Sequence, residues 1–306
     1  MKYLIIGAGG TGGSIAAFMS RAKKDVSVIA RGAHLKAIQN NGLNMQTSAQ
    51  GNFTVYPMKA YDMEEYHEHP DVIFACVKGY SLDAIVPFMK RIAHKETIVI
   101  PILNIYGTGG ILQKSLPDLL VTDGCIYIAA EIKAAGVIMQ TGDIFRVIFG
   151  VRNQKEYTST LETIAKDLND AGIRGIVTDN IQRDALQKFS FVSPMAACGA
   201  YYGVTAEGIQ KEGQGRALFI ELIKEIQLLA EAMRIDFTVD IVEKNLAILD
   251  ALAPNASTSM QRDLKHAHHS EMNGLIFEVV RLAQHYRISL PKYRMIAAHF
   301  GYKGED

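Results

Sequence analysis

The sequence predicts an α/β fold: an N-terminal Rossmann-type doubly wound sheet followed by an all-helical C-terminal domain. Three observations predict it. Apolar segments of strand length alternate with helix-period segments through the first half of the chain, which implies a parallel sheet covered by helices on both faces. A Gly-x-Gly-x-x-Gly loop joins the first strand to the first helix. Strand signals nearly vanish after Val177, and only helical periodicity remains.

The elements follow in order. Residues 3–6 (Tyr-Leu-Ile-Ile) read as a buried strand, 11–22 as a helix, 26–30 as a second strand and 33–39 as a second helix. Asn41-Gly42 marks a turn, and the period-2 segments 43–46 and 53–56 suggest a hairpin. Residues 71–77 form a third buried strand, 82–92 a helix and 97–102 a fourth strand. From 120 to 149 the pattern is strand-rich and reads as antiparallel, with turns expected at Ala135-Gly136 and Thr141-Gly142. A helix over 158–171 and a short strand at 175–177 complete this part. The domain boundary is placed near 178–180, giving domains 1–178 and 179–306. Asn180 would cap a long helix running to about Gly199. Leu218, Leu222, Ile226 and Leu229, then Val242, Leu246 and Leu249, then Leu275, Val279 and Ala283 recur at helical spacing.

Composition agrees with two cores and narrows the function classes. The chain has 306 residues, 48% of them apolar, and Lys+Arg equals Asp+Glu at 32 each. No global field therefore favours nucleic acid or an anionic membrane. Cys76, Cys125 and Cys198 lie far apart in apolar contexts, so a reducing compartment is expected. The apolar run after Met1-Lys2 stops at a glycine cluster, too early for a signal peptide. No run approaches the roughly 18 apolar residues of a membrane span, so a cytoplasmic protein is expected.

The loop Gly7-Ala8-Gly9-Gly10-Thr11-Gly12 is the first candidate site. Gly7 permits the tight turn, Gly9 lets backbone approach a pyrophosphate, and Gly12 lets helix and strand pack closely; the helix N-terminus then faces the phosphates. An acidic residue at the end of the second strand would bind the ribose hydroxyls of NAD. Here the segment reads Ile29-Ala30-Arg31, and a guanidinium suits a 2′-phosphate, so NADPH is the expected cofactor. Lys78 follows the third strand and falls at the same carboxyl edge of the sheet.

From here the chain resembles the ketopantoate reductase family (2-dehydropantoate 2-reductases), nearly end to end. The resemblance rests on the glycine loop with Arg31, on Cys76-Val77-Lys78-Gly79-Tyr80, on Leu103-Asn104-Ile105-Tyr106-Gly107, on Lys188, and on Thr258-Ser259-Met260-Gln261-Arg262-Asp263 with Glu271 eight residues beyond. It implies reduction of 2-dehydropantoate to pantoate, a step of pantothenate biosynthesis, in a cleft between the domains. It also implies roles. Lys188 would donate the proton, and Glu271 would hold substrate or lysine. Asn104 would position lysine, substrate or nicotinamide ribose, and Ser259 would bind the substrate carboxylate. A small-molecule partner is implied, and a homodimer is left open.

The match has departures. The family often carries asparagines four and eight residues after the lysine; here Val192 and Ala196 stand there, joined on that face by Met195, so the pocket is expected to be more apolar. That keeps a second reading open, a related dehydrogenase acting on another 2-oxo acid or an opine-type substrate. A third reading is a non-catalytic NADPH-binding sensor, against which intact Lys188 and Glu271 argue. His67-Glu68-His69 and His266, His268 and His269 invite a metal reading, but no further ligand set accompanies them and no metal is expected; His269 could line the site beside Glu271.

Overall fold

Strands apolar on both faces need a covering layer on each side. The computed structural model, which describes residues 1–304, shows where those layers come from. The chain divides into two compact units. The first comprises Met1–Leu103 and Gly107–Ile181; the second comprises Asn104–Tyr106 and the chain from Gln182 on.

In the first unit β1 (Lys2–Ile6) leads through the glycine loop to α1 (Gly10–Arg21), β2 (Asp25–Ile29) and α2 (Gly32–Asn41). Then come β3 (Leu43–Thr47), β4 (Phe53–Val55), β5 (Lys59–Tyr61), β6 (Val72–Ala75), α3 (Leu82–Ile92), β7 (Ile98–Pro101), α4 (Thr108–Ser115) and β8 (Leu120–Val121). The unit closes with β9 (Asp123–Ala134), β10 (Val137–Gly150), α5 (Thr160–Asp170) and β11 (Arg174–Val177).

Six parallel strands form one sheet in the order β5-β2-β1-β6-β7-β8. Side chains obey the two-residue period of a strand. Tyr3 and Ile5 enter the core that holds α1, whereas Leu4 and Ile6 enter the core formed with α3 and α4. Ile6 pairs with Ile29 and Ala75, and Ala75 with Pro101, so the carboxyl ends of four strands are level.

On the α1 side lies a second sheet, ordered β11-β10-β3-β4, with β9 also paired to β10. Phe18 of α1 packs edge-on against Phe53 of β4 and Phe145 of β10. The hairpin expected at 43–56 is present as β3 and β4, but the region 120–149 is not simply antiparallel. β10 runs antiparallel to β9 and parallel to β3 and β11. Gly136 makes the expected β9–β10 turn at φ 75°, while Thr141-Gly142 makes none. β10 continues through it, and the left-handed Gly142 lies where the β9/β10 register shifts, a bulge rather than a reversal.

The second unit is helical: α6 (Ile181–Tyr202), α7 (Ala206–Gln210), α8 (Gln214–Ala232), α9 (Ile241–Asp250), α10 (Ser259–Lys265), a π-helical turn (Asn273–Phe277), α11 (Glu278–His285) and α12 (Pro291–His299). Leu218, Leu222, Ile226 and Leu229 of α8 are buried with Phe189 of α6 and with Val279, Ala283, Ile296 and Ala297 of α11 and α12. Among the described residues no helix is long and apolar enough to cross a membrane.

Candidate active site

The nucleotide-type loop is built from backbone geometry. Gly7 has φ 104°, which a side chain would strain, and a Cβ there would lie 2.7 Å from the Cys76 carbonyl oxygen. A Cβ on Gly12 would run into the Gly7 oxygen and stand 2.7 Å from Cys76 Cβ. Gly10 and Gly13 are occupied differently: a Cβ on Gly10 would strike the Ala130 backbone of β9, and one on Gly13 would strike Ile138 of β10. Gly10 is thus required by the second sheet, which the motif alone does not reveal. At Gly9 a Cβ would meet nothing within 4 Å. Packing does not demand glycine there, whereas close approach of a ligand would. Gly9 is also the N-cap of α1 and supplies no side-chain cap to the amides of the helix start. Ala8 is buried and Thr11 half-buried in this loop. Desolvation pushes the Cys76 thiol up, so this residue acts as packing behind the loop rather than as a nucleophile.

Arg31 is the extended N-cap residue of α2, two residues past β2, and exposed. Lys78 lies three residues past β6, at the start of a short 3₁₀ turn whose Ser81 amide donates to its carbonyl at 2.8 Å. Gly7, Arg31 and Lys78 therefore follow the level carboxyl ends of β1, β2 and β6, the edge at which ligands bind open parallel sheets. The residues fit a dinucleotide.

In the helical unit the site is built from side-chain contacts. Lys188 is 8% exposed, and its Nζ donates to Asn104 Oδ1 at 2.6 Å. The segment carrying Asn104 is held by its next two residues. Tyr106 packs on Phe189 with ring centres 6.2 Å apart, and Ile105 fills the space beside Gly274, where a Cβ would collide with it. Residues 104–106 thus touch both the helix of Lys188 and the turn that follows Glu271.

Helix α6 is fixed immediately beyond Lys188. Pro194 has no N–H for the carbonyl of Ser190 four residues earlier. Asn245 of α9, buried at 1% exposure, supplies the missing donor: its Nδ2 reaches Ser190 O at 2.9 Å and Ser190 Oγ at 3.0 Å. Ser193 Oγ donates to Leu275 O at 2.6 Å, and Tyr293 Oη, also 2.6 Å from Ser193 Oγ, completes the set as donor. Glu271, 5% exposed, accepts at its carbonyl from the amides of Gly274 and Leu275 at 3.1 and 2.9 Å, where the π-turn begins. Such turns recur at functional positions. None of these stitches is visible in the sequence; the proline inside a predicted helix was the one signal that a carbonyl would need an outside partner.

Ser259 is half-buried and is the first residue of α10. The cap is Thr258, which forms a reciprocal box with Gln261. Gln261 also donates to Val204 O at 2.8 Å and lies against Gly199, near the far end of α6 from Lys188. The structure therefore brings Asn104 and Lys188 into direct contact, and places Ser259 at the start of α10, whose Gln261 lies against Gly199 of α6. On the face that follows Lys188, Val192 is half-buried, while Met195 and Ala196 belong to the core of the unit. Of the histidines, His69 Nδ1 is 2.8 Å from Ile92 O and His67 meets Arg91 at 3.2 Å. The rings of His266 and His268 lie 5.9 Å apart. Among the described residues no three His, Cys, Asp or Glu side chains are grouped as a metal would need.

A glycine loop between the first strand and first helix of a parallel sheet is the arrangement of dinucleotide-binding domains, and here it is joined in one chain to a helical unit that holds a buried lysine against an amide. Comparison with known proteins gives the family. Residues 3–154 match the family described as ketopantoate reductase PanE/ApbA, and residues 180–303 match its C-terminal part. The chain belongs to the ketopantoate reductase family, a family of NAD(P)-dependent oxidoreductases. It is 26% identical over 305 residues to a 2-dehydropantoate 2-reductase of Mesorhizobium japonicum, covering 93% of this chain and 92% of that one. A crystal structure of a PanE/ApbA family ketopantoate reductase from Ralstonia eutropha superposes with a TM-score of 0.89 at 23% identity, covering 98% and 97%. D-mandelate dehydrogenase, solved with NADH and anilino(oxo)acetate, shares the fold at a TM-score of 0.87 and 18% identity, covering 97% and 96%.

Proposed function

We propose that the chain reduces a 2-oxo acid to the 2-hydroxy acid with NADPH, and that 2-dehydropantoate is its first candidate substrate. The observation that carries the reading is the buried Lys188 ammonium donating to Asn104 at 2.6 Å, in a chain whose other unit carries the dinucleotide loop. When bound, the dinucleotide would supply the hydride to the carbonyl carbon. Lys188 would supply the proton to the carbonyl oxygen, so that the bond order lost at the carbonyl appears as one C–H and one O–H. An ammonium has three N–H groups, and Asn104 orients one of them. The positive charge also draws the substrate carboxylate and stabilises the alkoxide as it forms. Glu271 would hold substrate or lysine, and Ser259 would bind the carboxylate. Gly7 to Gly12 and Lys78 would hold the pyrophosphate side, and Arg31 would grip a 2′-phosphate with its planar fork.

A second reading, another 2-oxo acid as substrate, is favoured by Val192 and Ala196, which give the face after Lys188 no amide to recognise a substrate hydroxyl. The fold shared with a D-mandelate dehydrogenase supports it. Oxidation of NADPH and of NADH, followed over a panel of 2-oxo acids that includes 2-dehydropantoate, tests both readings. Turnover with NADPH in clear excess over NADH is expected. A protein that binds NADP⁺ yet turns over no member of the panel is a sensor, and the catalytic reading falls.

A further inference from the structure

We infer that His34 is a positioning residue that latches the glycine loop to the β9–β10 turn, and that it does so only as a neutral imidazole. This rests on the dinucleotide-binding reading above and concerns how the loop is held. His34 lies in the first turn of α2, three residues after Arg31. One ring nitrogen, Nε2, is 2.9 Å from the carbonyl oxygen of Ala8, inside the loop. The other, Nδ1, accepts from the backbone N–H of Gly136 at 2.9 Å.

The two contacts fix the proton. Gly136 N–H is a donor, so Nδ1 must present its lone pair; Ala8 O is an acceptor, so Nε2 must carry the hydrogen. Neutral imidazole protonated on Nε2 satisfies both. Imidazolium carries a hydrogen on each nitrogen and would set a second donor against Gly136 N–H. The surrounding geometry is tight. Gly136 is left-handed at φ 75°, and a Cβ there would be 3.0 Å from Ala37 Cβ of α2. Gly10, on the loop's other side, is pressed against Ala130 of the same hairpin. The β9–β10 hairpin therefore walls the loop at two points, and His34 is the polar one. It also ties α2, whose N-cap is Arg31, to the same loop. The ring's two partners are both backbone groups. The charged and titratable side chains of α2 and its cap are Arg31 and Lys36; the end of β9 next to the turn carries Glu131 and Lys133, the far end of β9 carries Asp123, Cys125 and Tyr127, β10 carries Asp143 and Arg146, and β5 carries Lys59 and Tyr61. Lys133 is engaged with Gln46 at 2.9 Å and Lys59 with Asp25 at 2.7 Å.

Affinity of the intact chain for NADP⁺, measured by calorimetry, tests the latch in three proteins: wild type, His34→Ala and His34→Gln. Glutamine offers one donor and one acceptor on a planar group and does not titrate. His34→Ala should weaken NADP⁺ by roughly 5–50-fold, the effect of two lost hydrogen bonds. His34→Gln should restore most of that loss. Acidification that puts a second proton on the ring should weaken wild type more than His34→Gln, because imidazolium has no lone pair left for Gly136 N–H and glutamine has no such proton to gain; titration of the ligand's own phosphate is common to both. Unchanged affinity in His34→Ala, or pH profiles that coincide for wild type and His34→Gln, overturns the latch. Should His34→Ala fail to fold, the pH comparison still decides. If wild type binds no dinucleotide at all, the functional reading fails instead, which is a separate outcome.

Discussion

The parallel-sheet unit and the helical unit hold their functional groups by different means. In the first, position is written in the backbone: Gly7 takes a left-handed φ, Gly12 admits the strand behind it, and Arg31 and Lys78 follow strands whose ends are level. In the second, position depends on single side chains. Asn104 meets Lys188, Asn245 replaces the donor that Pro194 lacks, and Ser193 takes the carbonyl of Leu275. Glycines packed as closely as Gly7 and Gly12 tolerate no added atom, whereas a side-chain device can be weakened one hydrogen bond at a time. The two units should therefore fail differently when mutated.

Gly12→Val should give the largest effect. The added carbons meet the Gly7 oxygen and Cys76, so the loop must move; dinucleotide binding should be lost and stability lowered by about 1–3 kcal/mol or more. Calorimetry with NADP⁺ and urea unfolding check it, and retained binding would break the distinction. Arg31→Asp should weaken NADP⁺ by roughly 10–150-fold while changing NAD⁺ far less, as expected for a lost charge-assisted contact. Parallel titrations of the two cofactors decide, and equal losses would remove Arg31 from the site. Asn104→Ala should lower kcat/KM by roughly 10–100-fold through the freed lysine, with NADP⁺ affinity much less affected. Asn245→Leu should act mainly on stability. It leaves the Ser190 carbonyl buried without its donor, at about 1–3 kcal/mol, read as an earlier unfolding midpoint.

The same contrast explains what the sequence could tell. The six-residue loop with its flanking strand and helix was legible because glycine requirements and strand periodicity are local. The placement of β5 beside β2, and of β10 parallel to β3 and β11, depends on segments distant in the chain, so the region 120–149 read only as antiparallel. Thr141-Gly142 looked like a turn because a left-handed glycine serves a bulge equally well. In the helical unit, periodicity located α8 and α9 but said nothing of Lys188, which by pattern alone is one more polar residue on an amphipathic helix. The family resemblance singled it out, and the contact with Asn104 gives it a physical setting. His34 carries no sequence signal because both its partners are backbone groups, one of them about a hundred residues away, at Gly136.

The measurement that bears most directly on the central claim is the kcat of Lys188→Ala at saturating NADPH, on the best 2-oxo acid found, beside its affinity for NADP⁺. Loss of a general acid predicts a fall in kcat of roughly 10²–10⁴-fold with NADP⁺ affinity nearly intact. A kcat near that of the wild type would contradict the account.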